Sequence, residues 1–226
     1  MYEKYGISND LEKLVREVEG EIKPEFEKMD RIKEENTLKV LMAFQKYKLS
    51  EMHFGTTTGY GYGDIGRDTI EKIFAEVLGA EDSVVRNQFI SGTHALTVAL
   101  FSMLRPGDTM LSINGKPYDT LDEVIGIVEN KSSLKSYGVK YEQIDLIGDD
   151  FDTDKIVERA KKGNIKLICM QRSRGYAIRK SLSLESIKNI IQEIRKVNTD
   201  AIIMVDNCYG EFVDTIEPVA LGADLM

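Results

Sequence analysis

Between residues 9 and 33, apolar side chains recur every three or four positions, at Leu11, Leu14, Val15, Val18, Ile22, Phe26, Met29 and Ile32, with charged residues between them. That is the period of an amphipathic helix. A second helix is predicted over 37–47, and the stretch 50–67 then turns rich in Gly, Thr and Tyr, which marks an ordered loop or crossover. From residue 68 onward the pattern alternates between the two periods. Helices are predicted over 69–78, 93–104, 120–129, 153–162 and 184–197, and strands over 83–90, 109–113, 139–146, 165–170 and 201–205, with Arg105-Pro106-Gly107-Asp108 as a turn. The runs Leu167-Ile168-Cys169-Met170 and Ala201-Ile202-Ile203-Met204-Val205 are apolar without alternation, as expected of strands covered on both faces. Strands alternating with helices, and gaps long enough for crossovers, predict an α/β fold around a mainly parallel sheet. In such sheets ligands gather beyond the carboxyl ends of the strands, so chemistry is sought there.

Composition narrows the classes of function. With 226 residues and 42% hydrophobic content, the chain can bury a sizeable core, which argues against disorder or a disulfide-stapled miniprotein. The 30 basic residues are dispersed among 38 acidic ones, for a net charge of -8, so there is no concentrated positive patch for a nucleic acid backbone. No signal peptide or membrane-length apolar segment is found, and Cys169 and Cys208 lie in or beside apolar runs, as expected of reduced thiols; a cytoplasmic, non-membrane protein is expected. The two histidines, His53 and His94, and the two cysteines have no metal-ligand spacing, so no metal site is expected.

Several segments hold candidate chemistry. Gly61-Tyr62-Gly63-Asp64-Ile65-Gly66 spells the dinucleotide-binding fingerprint before a helix, yet residues 51–60 do not read as the apolar strand that fingerprint requires. A special loop whose glycines permit positive φ is the expected reading. Ser91-Gly92-Thr93 is better placed, because it opens a helix directly after a predicted strand. Free N–H groups of the first turn, two hydroxyls and the helix dipole suit a phosphate, whereas Ser91 could equally be a plain N-cap. His94 could stack on a flat ligand or stand by. Asp206 closes the strand over 201–205 and, if buried, needs a cation from the protein or a ligand, or else serves as a turn cap. Gln171-Arg172-Ser173-Arg174-Gly175-Tyr176 follows another strand and could hold anionic or phenolic oxygens, or be a solvated loop. Tyr118 is a further aromatic on the same rim.

Four stretches carry a resemblance. These are Gly61 to Asp68, Val85 to Ala95, Gln171 to Tyr176, and Val205-Asp206-Asn207-Cys208-Tyr209-Gly210-Glu211-Phe212. In this order they resemble the methionine γ-lyase-like family, also called aluminium-resistance proteins, which are fold-type I pyridoxal-phosphate enzymes related to cystathionine β- and γ-lyases. The resemblance covers essentially the whole chain. It implies a three-layer α/β large domain of the pyridoxal-phosphate transferase kind over 51–226, preceded by a helical arm over 1–50 that packs on a partner subunit or, alternatively, covers the sheet of its own chain. It further implies that Gly92 and Thr93, with Ser91, bind the cofactor phosphate, that Tyr118 stacks on the pyridine ring, and that Asp206 pairs with the ring nitrogen. Gln171, Ser173 and Tyr209 are placed around the same cofactor. Tyr60 or Tyr62 would reach the phosphate of a neighbouring subunit, although the arginine two positions beyond that tyrosine in related lyases is absent, Asp64 following Tyr62.

The implied reaction is β- or γ-elimination from a sulfur-containing amino acid by a homodimer or homotetramer. In the family the Schiff-base lysine lies a few residues beyond the strand that begins Gly222-Ala223-Asp224-Leu225-Met226, so no catalytic lysine is assigned here, and the smaller carboxy-terminal domain is also expected beyond Met226. Two other functions fit less of the pattern: a non-catalytic binding or dimerisation module on the same fold, and a nucleotide-binding oxidoreductase.

Overall fold

Four short parallel strands lie at the centre of the computed structural model, which describes residues 2–58, 60 and 62–226. They are β1 (Thr109–Ser112), β2 (Lys140–Gln143), β3 (Leu167–Gln171) and β4 (Ile202–Asp206), in the spatial order β2-β1-β3-β4. The register places Leu111 opposite Ile168 and Ile168 opposite Ile203, while their neighbours Met110, Leu167 and Ile202 line the other face.

Six α-helices surround the sheet among the described residues: α1 (Asn9–Lys46), α2 (Ile65–Leu78), α3 (Gly92–Met103), α4 (Asp122–Ile125), α5 (Thr153–Lys161) and α6 (Leu184–Arg195). Ile187, Ile190, Ile191 and Ile194 recur along α6 at helical spacing and bury against Leu111, Ile168 and Ile203, together with Ile156 of α5. On the opposite face Leu100 of α3, Leu104 and Ile125 of α4 pack on Met110, Leu167, Cys169 and Met204. Helices therefore cover both faces of a parallel sheet, the three-layer α/β arrangement that alternating periods and unbroken apolar strands require.

Three elements differ from the sequence-based expectation. The helices predicted over 9–33 and 37–47 are one continuous helix, α1. The polar run that suggested a break contains Asn36, which is buried and donates both amide hydrogens, to the carbonyls of Phe212 and Asp214 at 3.0 Å each. Its polarity serves a long-range contact. The strand predicted over 83–90 is absent: this segment is fixed by α2 side chains, with Val85 N–H donating to Glu71 at 3.0 Å and Arg86 paired with Glu71, while Val84 and Ile90 are exposed. The helix predicted over 120–129 shrinks to one turn, because Gly126 takes a left-handed conformation at its end. At the far end of the chain Leu225 forms a parallel bridge to Met204, beside β4.

The carboxyl half of α1 packs on α2 through Ala43, Ile73 and Val77, with Val40, Phe44 and Tyr47 beside them. The amino half keeps Leu11, Leu14, Val15, Val18, Ile22 and Phe26 exposed. No helix among the described residues is long and apolar enough to cross a membrane.

Candidate cofactor site at the strand ends

The chain runs from β1 to β2 on one side and then returns to place β3 on the other side of β1. Such a reversal leaves a crevice beyond the strand ends, between β1 and β3. Asn114, just past β1, closes it underneath by donating to the Gln171 carbonyl at 2.7 Å and accepting from the Gln171 N–H at 3.1 Å. The Gln171 side chain then accepts from the Tyr118 N–H at 2.9 Å and donates to the Ser173 hydroxyl at 3.1 Å. Gln171 is directly opposite Asp206 in the register of β3 and β4. Below them is a cavity of about 20 Å³ bordered by Ser112, Cys169, Met204 and Asp206.

α3 approaches the same rim with its amino end. Ser91 is its N-cap, its hydroxyl accepting from His94 N–H at 3.1 Å. Both alternatives for this motif are compatible with that geometry, since the N–H groups of Gly92 and Thr93 have no intrahelical acceptor. Gly92 is exposed, and the space where a Cβ would stand holds no atom within 4 Å. The Thr93 hydroxyl donates to that of Thr120 at 2.8 Å, which joins α3 to the segment carrying Tyr118. His94 meets the Phe89 ring edge-on, with centroids 5.8 Å apart, and its Nδ1 is buried without a hydrogen-bond partner among the described residues.

Tyr118 and Tyr176 stack at 5.6 Å between centroids, and the Tyr118 hydroxyl donates to that of Tyr176 at 2.9 Å. That hydrogen bond is the main reason the Tyr118 phenol is pushed up to about 12, so it stays neutral. Asp206 has the opposite need. Burial raises its carboxyl above the ordinary aspartate range, opposed by the Cys208 N–H that donates to it at 3.1 Å. Among the described residues no cationic side chain pairs with it. Beneath it the buried Cys169 thiol is pushed up to about 12 by desolvation.

The structure thus brings Thr93, Tyr118, Gln171, Ser173 and Asp206 to one rim, with Ser91 and Gly92 at its helical edge. Tyr209 follows Asp206 with a positive φ of 68° and an exposed ring. Tyr60 and Tyr62 are exposed before α2, and among the described residues no hydrogen bond or ring contact joins their side chains to the rim. In the glycine-rich motif Gly61 lies outside the described residues, Gly63 takes a positive φ of 68°, and a Cβ on Gly66 would collide with the His53 carbonyl, while among the described residues no strand precedes it. One expectation is corrected: Arg172 does not face the rim as an anion holder but is buried and committed to Asn207, Gly210 and Asp214. Sequence reasoning also missed Asn114, Thr120, Asn207 and Glu217. For Asn114 and Asn207 a position just after a strand was the available signal, while Thr120 and Glu217, farther along the chain, carried none, and only the tertiary structure shows whom all four touch. Among the described residues no group of three His, Cys, Asp or Glu side chains could hold a metal ion.

Residues 11–226 match the family described as methionine gamma-lyase. The Bacillus subtilis protein YnbB, which is described as uncharacterized, is 48% identical over 221 residues, covering 96% of this chain and 52% of its own. Among solved structures, that of a candidate cystathionine β-lyase involved in aluminium resistance, from Clostridium acetobutylicum, is 46% identical, with a TM-score of 0.93 over 99% of this chain and 54% of its own. A carbon–sulfur lyase involved in aluminium resistance from Clostridium novyi NT is 46% identical, with a TM-score of 0.92 and the same coverage. The chain spans about half the length of these relatives.

Proposed function

The chain belongs to the methionine gamma-lyase family, and on that premise we propose that it forms the cofactor-binding part of a pyridoxal-phosphate-dependent carbon–sulfur lyase acting on a sulfur-containing amino acid. The observation that carries this reading is Asp206, a half-buried carboxylate at a strand end with no cation beside it among the described residues. A protonated pyridine nitrogen is the partner such a group lacks. The open space at Gly92 and the unpaired N–H groups of the first turn of α3 suit the phosphate of the same molecule.

When bound, pyridoxal phosphate supplies an electron sink for negative charge at the Cα of an amino acid. The residues of this chain have three tasks. Asp206 keeps the ring nitrogen protonated by holding a negative charge beside it. Gly92 and Thr93, capped by Ser91, hold the phosphate with backbone N–H groups and a hydroxyl that Thr120 orients. Tyr118 offers an aromatic face, kept in place from Gln171 at its backbone and from Tyr176 at its hydroxyl. Ser173 and Tyr209 border the same space, and the base that removes the Cα proton is not among the residues assigned here.

Equilibrium dialysis of the chain against pyridoxal phosphate tests this. Saturable binding with a stoichiometry of one is expected, and Thr93→Ala should weaken it by several fold, the loss of roughly 1 kcal/mol that one hydrogen bond carries. Absence of saturable binding to the wild-type chain would refute the assignment.

The exposed apolar stripe on the amino half of α1 supports self-association as a homodimer or homotetramer, with α1 as the arm that a second copy covers. Leu14 and Val18, each about half exposed, would each contribute roughly 1 kcal/mol when a partner covers the rest. Sedimentation velocity should therefore show an oligomer that Leu14→Glu combined with Val18→Glu converts to monomer. An unchanged sedimentation coefficient would remove α1 from the interface.

A further inference from the structure

The segment after β4 makes a tight excursion before returning to the body at Glu217. Two of its residues, Tyr209 and Phe212, have left-handed φ values of 68° and 61°, a conformation that non-glycine side chains keep only where their surroundings over-determine it. The surroundings here are polar and buried. Arg172, 6% exposed, donates through Nη1 to the Asn207 side chain at 3.2 Å and to the Gly210 carbonyl at 3.0 Å, and through Nη2 to Asp214. Asn207 passes the connection on by donating to Glu217 at 2.8 Å, and Glu217 accepts from the Phe212 N–H at 2.9 Å. A Cβ on Gly210 would stand 2.7 Å from Arg172 Nη1, so the guanidinium lies directly against the backbone.

Burying a guanidinium among polar partners is an inefficient way to gain stability, because well-packed apolar side chains serve as well or better. Its geometry matters more. Arg172 grips Asn207 and Gly210, the residues on either side of the Cys208–Tyr209 pair, and the Cys208 N–H is the donor to the Asp206 carboxylate. The backbone N–H of Arg172 also donates to the Asp206 carbonyl at 2.9 Å. We infer that Arg172 is a positioning residue, which holds the loop after β4 so that the Cys208 N–H points at the Asp206 carboxylate and fixes it at the site rim. This rests on the reading of Asp206 as the carboxylate facing the cofactor. Besides Cys208, the titratable groups near that carboxylate are Cys169 on β3 and Glu211 in the loop.

Carboxyl 13C NMR of the ligand-free chain, titrated with pH and with the Asp206 signal assigned from Asp206→Asn, tests the inference without any cofactor. In Arg172→Met the Cys208 hydrogen bond loosens, so the charged carboxylate loses support and the Asp206 midpoint should rise by roughly one pH unit, a tenfold gain in proton affinity. Arg172→Lys keeps the charge but not the fork, and should fall between Arg172→Met and wild type. In dialysis the same variants should weaken pyridoxal phosphate in the same order, by up to about tenfold. A folded Arg172→Met with an unchanged Asp206 midpoint overturns the inference, as does full restoration by Arg172→Lys, which would make charge rather than geometry responsible. Should neither variant fold, Asp214→Asn decides: it leaves the guanidinium in place without its carboxylate, and a smaller rise supports the clamp while no rise overturns it. If wild type fails to bind pyridoxal phosphate but the midpoints move as stated, the cofactor reading falls and the clamp stands.

Discussion

Replacing Asp206 by alanine is expected to weaken pyridoxal phosphate binding roughly a hundredfold. Truncating one partner of a buried charge pair costs about 2–5 kcal/mol, because the remaining charge is left desolvated, and about 2.7 kcal/mol corresponds to that factor. Asp206→Asn should lose nearly as much, since an amide fills the space without supplying the charge. The pH dependence follows from burial, which holds this carboxyl above the ordinary aspartate range. Binding that relies on the charged form is then lost as pH falls through the raised value, at a higher pH than an exposed aspartate would give. Stability of the ligand-free chain responds with the opposite sign. The unfolded chain releases this proton more readily, so the stability contributed by protonated Asp206 is complete below the unfolded value and disappears as pH rises through the folded one. Asp206→Asn should therefore raise the neutral-pH thermal midpoint of the ligand-free chain while it weakens the cofactor. A variant that is both less stable and equally avid for pyridoxal phosphate would remove Asp206 from the site.

The largest loss of stability is expected from Ile168→Ala. Ile168 lies in β3 between β1 and β4, is 0% exposed, and sits in register between Leu111 and Ile203 under the isoleucines of α6. Shortening such a side chain removes its transfer free energy and leaves a cavity that rigid neighbours cannot close, at a cost of about 2–5 kcal/mol. Urea denaturation should show the midpoint falling accordingly with the slope unchanged. Ile178→Ala is the control: Ile178 is fully exposed in the loop after β3 and should change stability by no more than about 0.5 kcal/mol. Similar losses at the two positions would contradict the layered core.

Much of this architecture was legible in the order of residues. The apolar runs around Ile168 and Ile203 lie in strands, and the three-and-four spacing of Ile187, Ile190, Ile191 and Ile194 lies on the buried side of α6, because periodicity reports directly on which face meets the core. Elements set by local chemistry were equally readable, such as the Ser91 cap of α3. Residues 83–90 misled because Val84, Val85 and Ile90 have strand-like composition, whereas a strand exists only if a neighbour completes its ladder, and here Glu71 of α2 takes the N–H of Val85. Asn36 misled for the converse reason. A polar residue within a helix looks like an end when its partner lies more than 170 positions away.

For the candidate site, the sequence by itself determined which residues stand at strand and helix ends: Gly92 and Thr93, Tyr118, Gln171 and Asp206. Those positions follow from local periods and end signals, which depend only on near neighbours along the chain. Which of them share a rim, and which arginine faces away from it, was decided by the strand order β2-β1-β3-β4 and by the register that sets Gln171 opposite Asp206. Arg172 and Arg174 are alike in sequence, two residues apart after the same strand. One is buried against Asn207, Gly210 and Asp214 and the other is exposed, because Arg172 still runs beside β4, its N–H bound to the Asp206 carbonyl, whereas Arg174 stands in the turn that carries the chain away from the sheet.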